Sequence, residues 1–302
     1  MLDRRAFMSS SASLLLASQI APVWAARTPI ERAIPSSGET LPVMGMGTSR
    51  TFDVHTKKST MKSLTRELEI FFAEQGSVID SSPMYGEAEA VLGQLLPGIS
   101  PKPKVFAATK VWTDGREAGI AQMEKSSELM GVPVFDLMQI HNLRDWKTHI
   151  KTLKSWKEEG KVRYIGVTTS HQRYHEELEQ IMRSEPLDFV QFSYNIENRR
   201  AEERLLPLAA DRGMATLINR PFQRGSLFRK VKGQPLPGLA EELGCKTWAQ
   251  LLLKFIIGHP AVTCVVPATS KVHHMHDNMN ANFGPVPNEA QRQALLKIYQ
   301  AL

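Results

Sequence analysis

Short apolar runs alternate along most of this chain with longer stretches that carry apolar residues at every third or fourth position. The short runs predict buried strands, and the longer stretches predict amphipathic helices. Strands are predicted at residues 41–48, 77–80, 104–110, 134–141, 162–169, 188–195, 213–220 and 263–268. Helices between them are clearest at residues 60–75, 117–130, 146–159 and 247–257. Eight successive strand–helix units predict an α/β fold that closes as a (β/α)8 barrel.

One further feature favours a barrel over its main alternative, an open doubly wound sheet. Such sheets usually carry a Gly-x-Gly-x-x-Gly turn after a strand when they bind a dinucleotide, and no predicted strand here is followed by one. Ahead of the barrel strands, Pro35 and Gly38 lie in the segment 34–39, which predicts a hairpin turn,.

Length and composition favour one soluble globular domain. The 302 residues show no Ser/Gly linker or shift of composition that would divide a domain, and 23% are charged,. The two cysteines, Cys245 and Cys264, lack metal-binding spacing and make no disulfide framework, so we expect buried, inert thiols,. We expect the protein to be a monomer.

The first 25 residues have the features of an export signal rather than of a domain. Arg4 and Arg5 are followed by Phe7, a weakly apolar Ser/Ala/Leu stretch, and small or modest side chains up to Ala25. This stretch is too short and too hydroxylated to span a bilayer. It resembles a twin-arginine signal, which predicts a periplasmic protein with a signal peptide at 1–25 and one domain at 26–302. A disordered tail with a chance Arg-Arg pair is the alternative.

The formal charge of +6 does not indicate nucleic-acid binding. Loss of Asp3, Arg4 and Arg5 would leave +5, but the basic residues are mostly mixed with acids and form no stripe interleaved with aromatics,. The exception is segment 220–232, whose five cations lie without an acid: Arg220, Arg224, Arg229, Lys230 and Lys232. The last three could equally form a solvated loop, whereas Arg220 directly follows a predicted strand and is a candidate ligand contact.

Four polar residues carry the candidate chemistry. Asp80, Lys110 and His141 each end an apolar run, and Tyr85 lies five residues beyond Asp80. In a closed parallel barrel the C-terminal ends of all strands converge on one mouth. A carboxylate, an ammonium, an imidazole and a phenol would therefore meet there, and together they can donate a proton to a substrate.

The motifs around these residues resemble those of the aldo-keto reductase family. The resemblance lies in the segments 80–86 (Asp-Ser-Ser-Pro-Met-Tyr-Gly), 109–110 (Thr-Lys), 139–141 (Gln-Ile-His), 164–170, 189–195 and 266–271. It extends over essentially everything after residue 30. It implies a TIM barrel whose bottom is capped by an N-terminal β-hairpin, and NADPH-dependent reduction of an aldehyde or ketone to an alcohol.

The resemblance also implies a role for each of the four residues. Tyr85 would be the proton donor, and Lys110 would favour its phenolate, since a free tyrosine titrates near a pH of about 10. Asp80 would pair with Lys110 and compensate its burial. His141 would donate a hydrogen bond to the carbonyl oxygen or relay a proton to it.

Further residues are implied as cofactor contacts. Thr168, Thr169 and Gln191 occupy positions that hold the nicotinamide carboxamide in the family. Asn219 stands where many members place a tyrosine that stacks on the nicotinamide ring. The residues that follow it, Arg220 and Pro221, are counted with the cofactor set.

The second half of the cofactor set follows the last predicted strand. Thr269, Ser270 and Lys271 resemble the loop that binds the 2′-phosphate of NADP. His274 stands where the family has an arginine, and Asn278 follows it in the same segment. These residues favour NADPH over NADH.

Three classes of function were weighed. A small-molecule carbonyl reductase is favoured. A nucleotide-binding regulatory or partner-binding barrel with little turnover is the alternative, and turnover of bound NADPH would separate the two. A barrel hydrolase or metal enzyme is disfavoured because no carboxylate pair or His/Asp ligand cluster with suitable spacing is present,. The particular carbonyl substrate is left open, since specificity loops vary freely on a constant barrel.

Overall fold

The structure, a computed structural model, describes residues 27–54 and 58–302. The export signal predicted at 1–25 lies outside these residues. Within the part that is described, no helix is both long enough and apolar enough to cross a lipid bilayer.

Eight parallel strands form the barrel that the apolar runs predicted. The strands of the described chain are β1 Glu31–Ala33, β2 Thr40–Pro42, β3 Met46–Gly47, β4 Val78–Asp80, β5 Phe106–Val111, β6 Phe135–His141, β7 Val162–Thr168, β8 Phe189–Ser193, β9 Ala215–Asn219 and β10 Cys264–Val265. Strands β3 to β10 pair in chain order. The Gly45 N–H donates to the Val265 carbonyl at 2.8 Å, and this bond joins the two ends of the sheet.

Helices lie between the strands, as expected for right-handed βα units. They are α1 Lys58–Ala73, α2 Ala88–Leu95, α3 Arg116–Met130, α4 Trp146–Glu158, α5 His175–Ser184, α6 Leu205–Asp211, α7 Leu227–Val231, α8 Leu239–Glu242, α9 Trp248–Ile257, α10 Val272–Asn280 and α11 Glu289–Ala301. The four predicted helices are confirmed to within two residues at each end. Thr247 explains one boundary, because its side chain accepts the N–H of Gln250 and caps α9,.

The predicted strand at 41–48 is not one strand. Residues 40–42 pair antiparallel with β1 as the second arm of a hairpin, whereas 46–47 pair parallel with β4. A straight strand cannot pair with both partners, so the chain bends between them. Apolar pattern alone does not show this, because every residue from Leu41 to Thr48 is buried.

The hairpin closes the N-terminal end of the barrel, as the family resemblance implied. Ile34 and Leu41 belong to the same buried cluster as the aromatic rings of Phe106, Tyr164 and Phe189, which fill the barrel interior at that end. The opposite end is left for polar side chains. The two cysteines are buried free thiols, as predicted.

Candidate active site

The barrel brings the four predicted catalytic residues together at its C-terminal mouth. Asp80 and His141 are the last residues of β4 and β6, and Lys110 is the penultimate residue of β5. Tyr85 lies in the turn between β4 and α2, where its N–H donates to the Ser82 carbonyl at 2.9 Å. Side chains alternate between the two faces of a strand, so interior positions that are apolar at the bottom carry polar groups at the mouth.

Lys110 and Asp80 form a buried ion pair. Lys110 Nζ lies 2.7 Å from Asp80 Oδ2 and also donates to the Ser81 carbonyl at 2.6 Å. Both side chains are almost fully buried. Burial lowers the pKa of Lys110, but the Asp80 carboxylate, with a smaller contribution from the neighbouring Tyr85, outweighs this effect and the net pKa is raised. The ammonium therefore stays charged inside the barrel.

The second oxygen of Asp80 is held by two amides. Gln139 Nε2 and Gln191 Nε2 donate to Asp80 Oδ1 at 3.0 and 3.1 Å. Both lone pairs of Oδ1 are thus used, so this oxygen of the buried carboxylate is fully hydrogen-bonded, as a buried charge requires,. The sequence reasoning missed Gln139. Its position two residues before His141 on β6 was the available signal, because alternate residues of a strand share a face.

The phenol of Tyr85 is protonated near neutral pH. Lys110 Nζ lies 5.1 Å from the centroid of its ring. Burial raises the pKa of Tyr85, and the Lys110 charge lowers it only in part, so the net pKa is above the ordinary value. Lys110 thus favours the phenolate as expected, but burial outweighs this effect in the protein by itself. The phenol keeps its proton and can act as an acid.

His141 is a neutral imidazole whose Nδ1 is hydrogen-bonded to a serine hydroxyl. Burial, with a smaller contribution from the Lys110 charge, lowers its pKa to about 2. Its Nδ1 lies 2.8 Å from Ser82 Oγ, which itself accepts the Met84 N–H at 3.2 Å. The Ser82 hydroxyl can donate to Nδ1, and in that arrangement the proton of the neutral ring lies on Nε2,. Ser82 is thus a second residue that the sequence reasoning missed.

A polar floor of hydroxyl and amide groups lies beside these residues. Thr168 Oγ1 donates to Gln191 Oε1 at 3.1 Å, and Asn219 Nδ2 donates to the same oxygen at 3.2 Å. Ser193 Oγ donates to Asn219 Oδ1 at 2.6 Å. The structure therefore places two of the predicted carboxamide contacts, Thr168 and Gln191, in one network with Asn219, which was predicted at the ring-stacking position.

The Thr169 side chain does not join that network, although its main-chain carbonyl accepts Asn219 Nδ2 at 3.2 Å. Its hydroxyl accepts the His171 N–H at 3.2 Å and so belongs to the turn after β7. It follows Thr168, which faces the barrel interior, and successive side chains of a strand point to opposite faces. The sequence prediction for its side chain is corrected on this point.

The residues after β9 form a separate feature. Arg220 is half-buried with a φ of +50°, and its Nη2 donates to Ser170 Oγ at 2.9 Å. Pro221 is buried behind it, and Phe222 packs against the ring of Phe228 with centroids 4.9 Å apart.

The predicted phosphate loop precedes α10. Thr269 Oγ1 accepts the Lys271 N–H at 3.1 Å, and Ser270 and Lys271 are exposed. His274 is exposed on α10 with its ring 4.2 Å from that of His273, and Asn278 is buried one turn further along. Burial, His273 and Lys271 lower the pKa of His274. The loop therefore presents Lys271 as a permanent cation and His274 as a mostly neutral imidazole.

This closed parallel barrel, with titratable groups at the C-terminal ends of its strands, has the architecture of the barrel enzymes. The model of the Aldo/keto reductase family matches residues 43–293, so the chain belongs to this family of oxidoreductases.

Individual relatives agree with the family match. Methylglyoxal reductase YeaE of Escherichia coli (strain K12) is 26% identical over 258 residues, covering 82% of this chain and 88% of that protein. The NADH-specific methylglyoxal reductase of the same strain is 26% identical over 206 residues, covering 58% of this chain and 60% of that protein. A crystal structure of an aldo/keto reductase from Klebsiella pneumoniae, in complex with NADP and acetate, gives a TM-score of 0.72 at 24% identity and covers 87% of this chain and 93% of that one.

Proposed function

We propose that this protein reduces an aldehyde or ketone to an alcohol, with NADPH as the hydride source and Tyr85 as the proton donor. The observation that carries the proposal is the protonated Tyr85 phenol beside the buried Lys110–Asp80 pair. The relatives named as methylglyoxal reductases support a carbonyl substrate. The NADH-specific relative makes NADH the competing cofactor.

The residues at the mouth have complementary roles in this reaction. A bound nicotinamide supplies the hydride to the carbonyl carbon. The Tyr85 hydroxyl and the Nε2–H of His141 donate to the carbonyl oxygen and stabilise the charge that develops there. The proton passes from Tyr85 to that oxygen, and the resulting phenolate is stabilised by the Lys110 ammonium. Asp80 keeps Lys110 charged and in place.

The donor sets in the structure fit a nicotinamide nucleotide. Thr168, Gln191 and Asn219 offer both amide donors and oxygen acceptors, which is the chemistry that a carboxamide requires,. Lys271 makes no ion pair with the described residues and is exposed where a 2′-phosphate would need a cation,. No aromatic ring occupies position 219, so stacking on the nicotinamide would have to come from elsewhere.

The Tyr85→Phe variant tests the proposal. The ring still packs in this variant while the acidic proton is gone, so kcat for methylglyoxal or benzaldehyde should fall by about 100- to 10,000-fold. The dissociation constant of NADPH, measured by fluorescence titration, should change little. Near-normal turnover would remove Tyr85 from its role. If the parent protein binds NADPH but oxidises none of it in a single-turnover experiment with these aldehydes, the nucleotide-binding barrel with little turnover is the better description.

We also propose that the enzyme acts in the periplasm as a monomer. The proposal on location depends on the Arg4-Arg5 pair alone. The twin-arginine route exports proteins that have already folded, which suits an enzyme that must acquire its nucleotide in the cytoplasm.

A further inference from the structure

Three polar side chains form a buried layer across the barrel interior, just below the mouth. Asp80, Gln139 and Gln191 come from the alternate strands β4, β6 and β8, and all three are buried. In most barrels, bulky branched apolar side chains from alternate strands fill such a layer. Removing polar groups from water costs free energy unless they are hydrogen-bonded, so the bonds within this layer indicate its role.

Gln139 reaches Asp80 across the strand that carries Lys110. β5 pairs with β4 on one side and with β6 on the other, and Gln139 is the register partner of Lys110. Gln139 Nε2 donates to Asp80 Oδ1 at 3.0 Å, while Lys110 Nζ lies 2.7 Å from Asp80 Oδ2. The two oxygens of the carboxylate are thus bound from different sides, and the carboxylate cannot turn without breaking one of these bonds.

The orientation of the Gln139 amide follows from its second hydrogen bond. Gln139 Oε1 accepts Gln191 Nε2 at 3.1 Å, and the same nitrogen donates to Asp80 Oδ1 at 3.1 Å. Gln191 Oε1 in turn accepts the hydroxyl of Thr168. An amide nitrogen has two hydrogens and its oxygen only accepts, so this chain of bonds defines which end of Gln139 faces the carboxylate.

The orientation of Asp80 in turn decides where Lys110 points. The flexible four-carbon stem of a lysine does not fix the position of its own ammonium. Lys110 Nζ donates to Asp80 Oδ2 and to the Ser81 carbonyl, and it lies 5.1 Å from the centroid of the Tyr85 ring. A rotation of the Asp80 carboxylate would therefore move the cation that stabilises the Tyr85 phenolate.

We propose that Gln139 is a positioning residue for carbonyl reduction, which acts through Asp80 to hold the Lys110 ammonium at the Tyr85 phenol. This inference rests on the proposed reductase function and adds a residue to its machinery. The competing role for Gln139 is to hold Gln191, a predicted cofactor contact. The two roles predict different losses, because the first concerns the rate of the chemical step and the second concerns nucleotide affinity.

Gln139→Leu tests the proposal, because it keeps much of the side-chain volume and removes the hydrogen bonds. The rate of NADPH oxidation in a single turnover with methylglyoxal or benzaldehyde should fall by about 10- to 100-fold, since a misplaced cation stabilises the phenolate less well. The dissociation constant of NADPH, measured by fluorescence titration, should stay at the parent value. A parental rate overturns the proposal. A loss confined to nucleotide affinity assigns Gln139 to the cofactor floor and also overturns it.

Gln139→Glu is the conservative variant and adds a dependence on pH. A protonated carboxyl group can donate to Asp80 Oδ1 as the amide does, whereas an ionised one repels Asp80. Two carboxyl groups that share a site hold one proton to unusually high pH. This variant should therefore recover most of the lost rate at low pH and lose it again, relative to the parent, as pH rises. A rate as low as that of Gln139→Leu at every pH contradicts the donor role.

The matched control is Gln250→Leu, which removes another buried glutamine that is bonded to an aspartate. Gln250 lies on α9, and its Nε2 donates to Asp277 Oδ1 at 2.6 Å. This variant should lose stability to urea as Gln139→Leu does, but it should keep the parent rate at saturating NADPH. An equal fall in rate would mean that loss of any buried amide slows the enzyme, and it would overturn the assignment of Gln139.

A measurement without turnover separates this inference from the proposed function. Nitrogen-15 NMR at pH 6 detects buried lysine ammonium groups, and the Lys110 signal is assigned by its loss in Lys110→Met. In Gln139→Leu the Lys110 ammonium should exchange its hydrogens with water about 10-fold faster than in the parent, because its carboxylate partner is less firmly held. Lys254 is the internal reference. Its Nζ donates to the carbonyls of Phe283 and Pro285, and burial lowers its pKa only to about 8, so it is charged at pH 6.

The two signals together decide the outcome. Faster exchange at Lys110 with no change at Lys254 supports the placement of Lys110 by Gln139 even if neither aldehyde is reduced, in which case only the reductase proposal fails. Unchanged exchange at Lys110 overturns the inference whatever the rate of reduction. Faster exchange at both lysines means a general loss of stability and overturns it as well.

Discussion

Replacement of Glu67 should remove a large pH-dependent loss of stability. Glu67 lies on the inner face of α1 with Leu64, Leu68 and Phe71, and its side chain is fully buried. Neither of its carboxylate oxygens has a hydrogen-bond partner among the described residues. Burial raises its pKa from the ordinary value of 4.5 to about 8.

The direction of the effect follows from linkage. Below a pH of about 4.5 the group is protonated in both the folded and the unfolded chain and carries no charge penalty. Between 4.5 and about 8 the unfolded chain ionises while the folded protein keeps its proton, so the free energy of unfolding falls as pH rises,. At about 1.4 kcal/mol per pH unit, the full loss is about 5 kcal/mol, a large part of the stability of a typical domain.

Urea unfolding of the parent and of Glu67→Gln at pH 5, 7 and 9 measures this effect. The variant should gain stability relative to the parent as pH rises, by several kcal/mol between pH 5 and 9, on top of any constant offset from its buried amide. Glu69→Gln is the matched control, because Glu69 lies on the same helix in an exposed pair with Arg66. Its difference from the parent should stay below about 1 kcal/mol.

A difference between parent and Glu67→Gln that stays constant from pH 5 to 9 would refute the reasoning. It would mean that Glu67 does not titrate in this range, or that the folded protein offers its carboxylate a partner. Glu67→Met provides a second check, since it replaces the carboxyl with an apolar group and should show the same dependence on pH.

Four further outcomes are expected. Ser82→Ala should lower kcat about 10-fold at unchanged NADPH affinity, because the hydrogen bond that orients the His141 ring is lost,. A normal kcat would contradict this role of Ser82. Lys271→Ala should weaken the binding of NADPH about 10-fold more than that of NADH in paired titrations. An equal change for both nucleotides would mean that Lys271 does not contact the 2′-phosphate. The pKa of His274 is lowered in the free protein, and a bound phosphate favours the protonated imidazole,. The parent should therefore bind NADPH more tightly than His274→Ala does, by a margin that grows as pH falls below about 6.5. Parallel pH profiles of NADPH affinity in the two proteins would exclude a contact between His274 and the phosphate. Changing Arg4 and Arg5 to Lys should leave the enzyme in the cytoplasm by fractionation, and unchanged export would refute the twin-arginine signal.

Much of the barrel could be predicted from the chain because its signals are local. Apolar runs at the strand positions and apolar residues at helical spacing are properties of neighbouring residues, and they located most strands and four helices to within a few residues. The strand ends also placed Asp80, Lys110 and His141 at one mouth, since parallel strands in a barrel share their direction. The exception was the run 41–48, whose division depends on antiparallel pairing with Glu31–Ala33 and parallel pairing with Val78–Asp80. The residues of both parts are buried, so local pattern cannot show where one pairing ends and the other begins,.

The energetics of the site were decided by the tertiary structure. That Tyr85 retains its proton depends on burial outweighing the charge of Lys110, and the orientation of the His141 ring depends on a serine that comes from a different strand end. Gln139 is one polar residue in an apolar run of the sequence, but its bond to Asp80 joins two strands that come together only in the folded barrel. Residue types and their order thus determined the fold and which groups reach the mouth. Desolvation and through-space partners, which depend on residues far apart in the chain, decided the charge that each group carries.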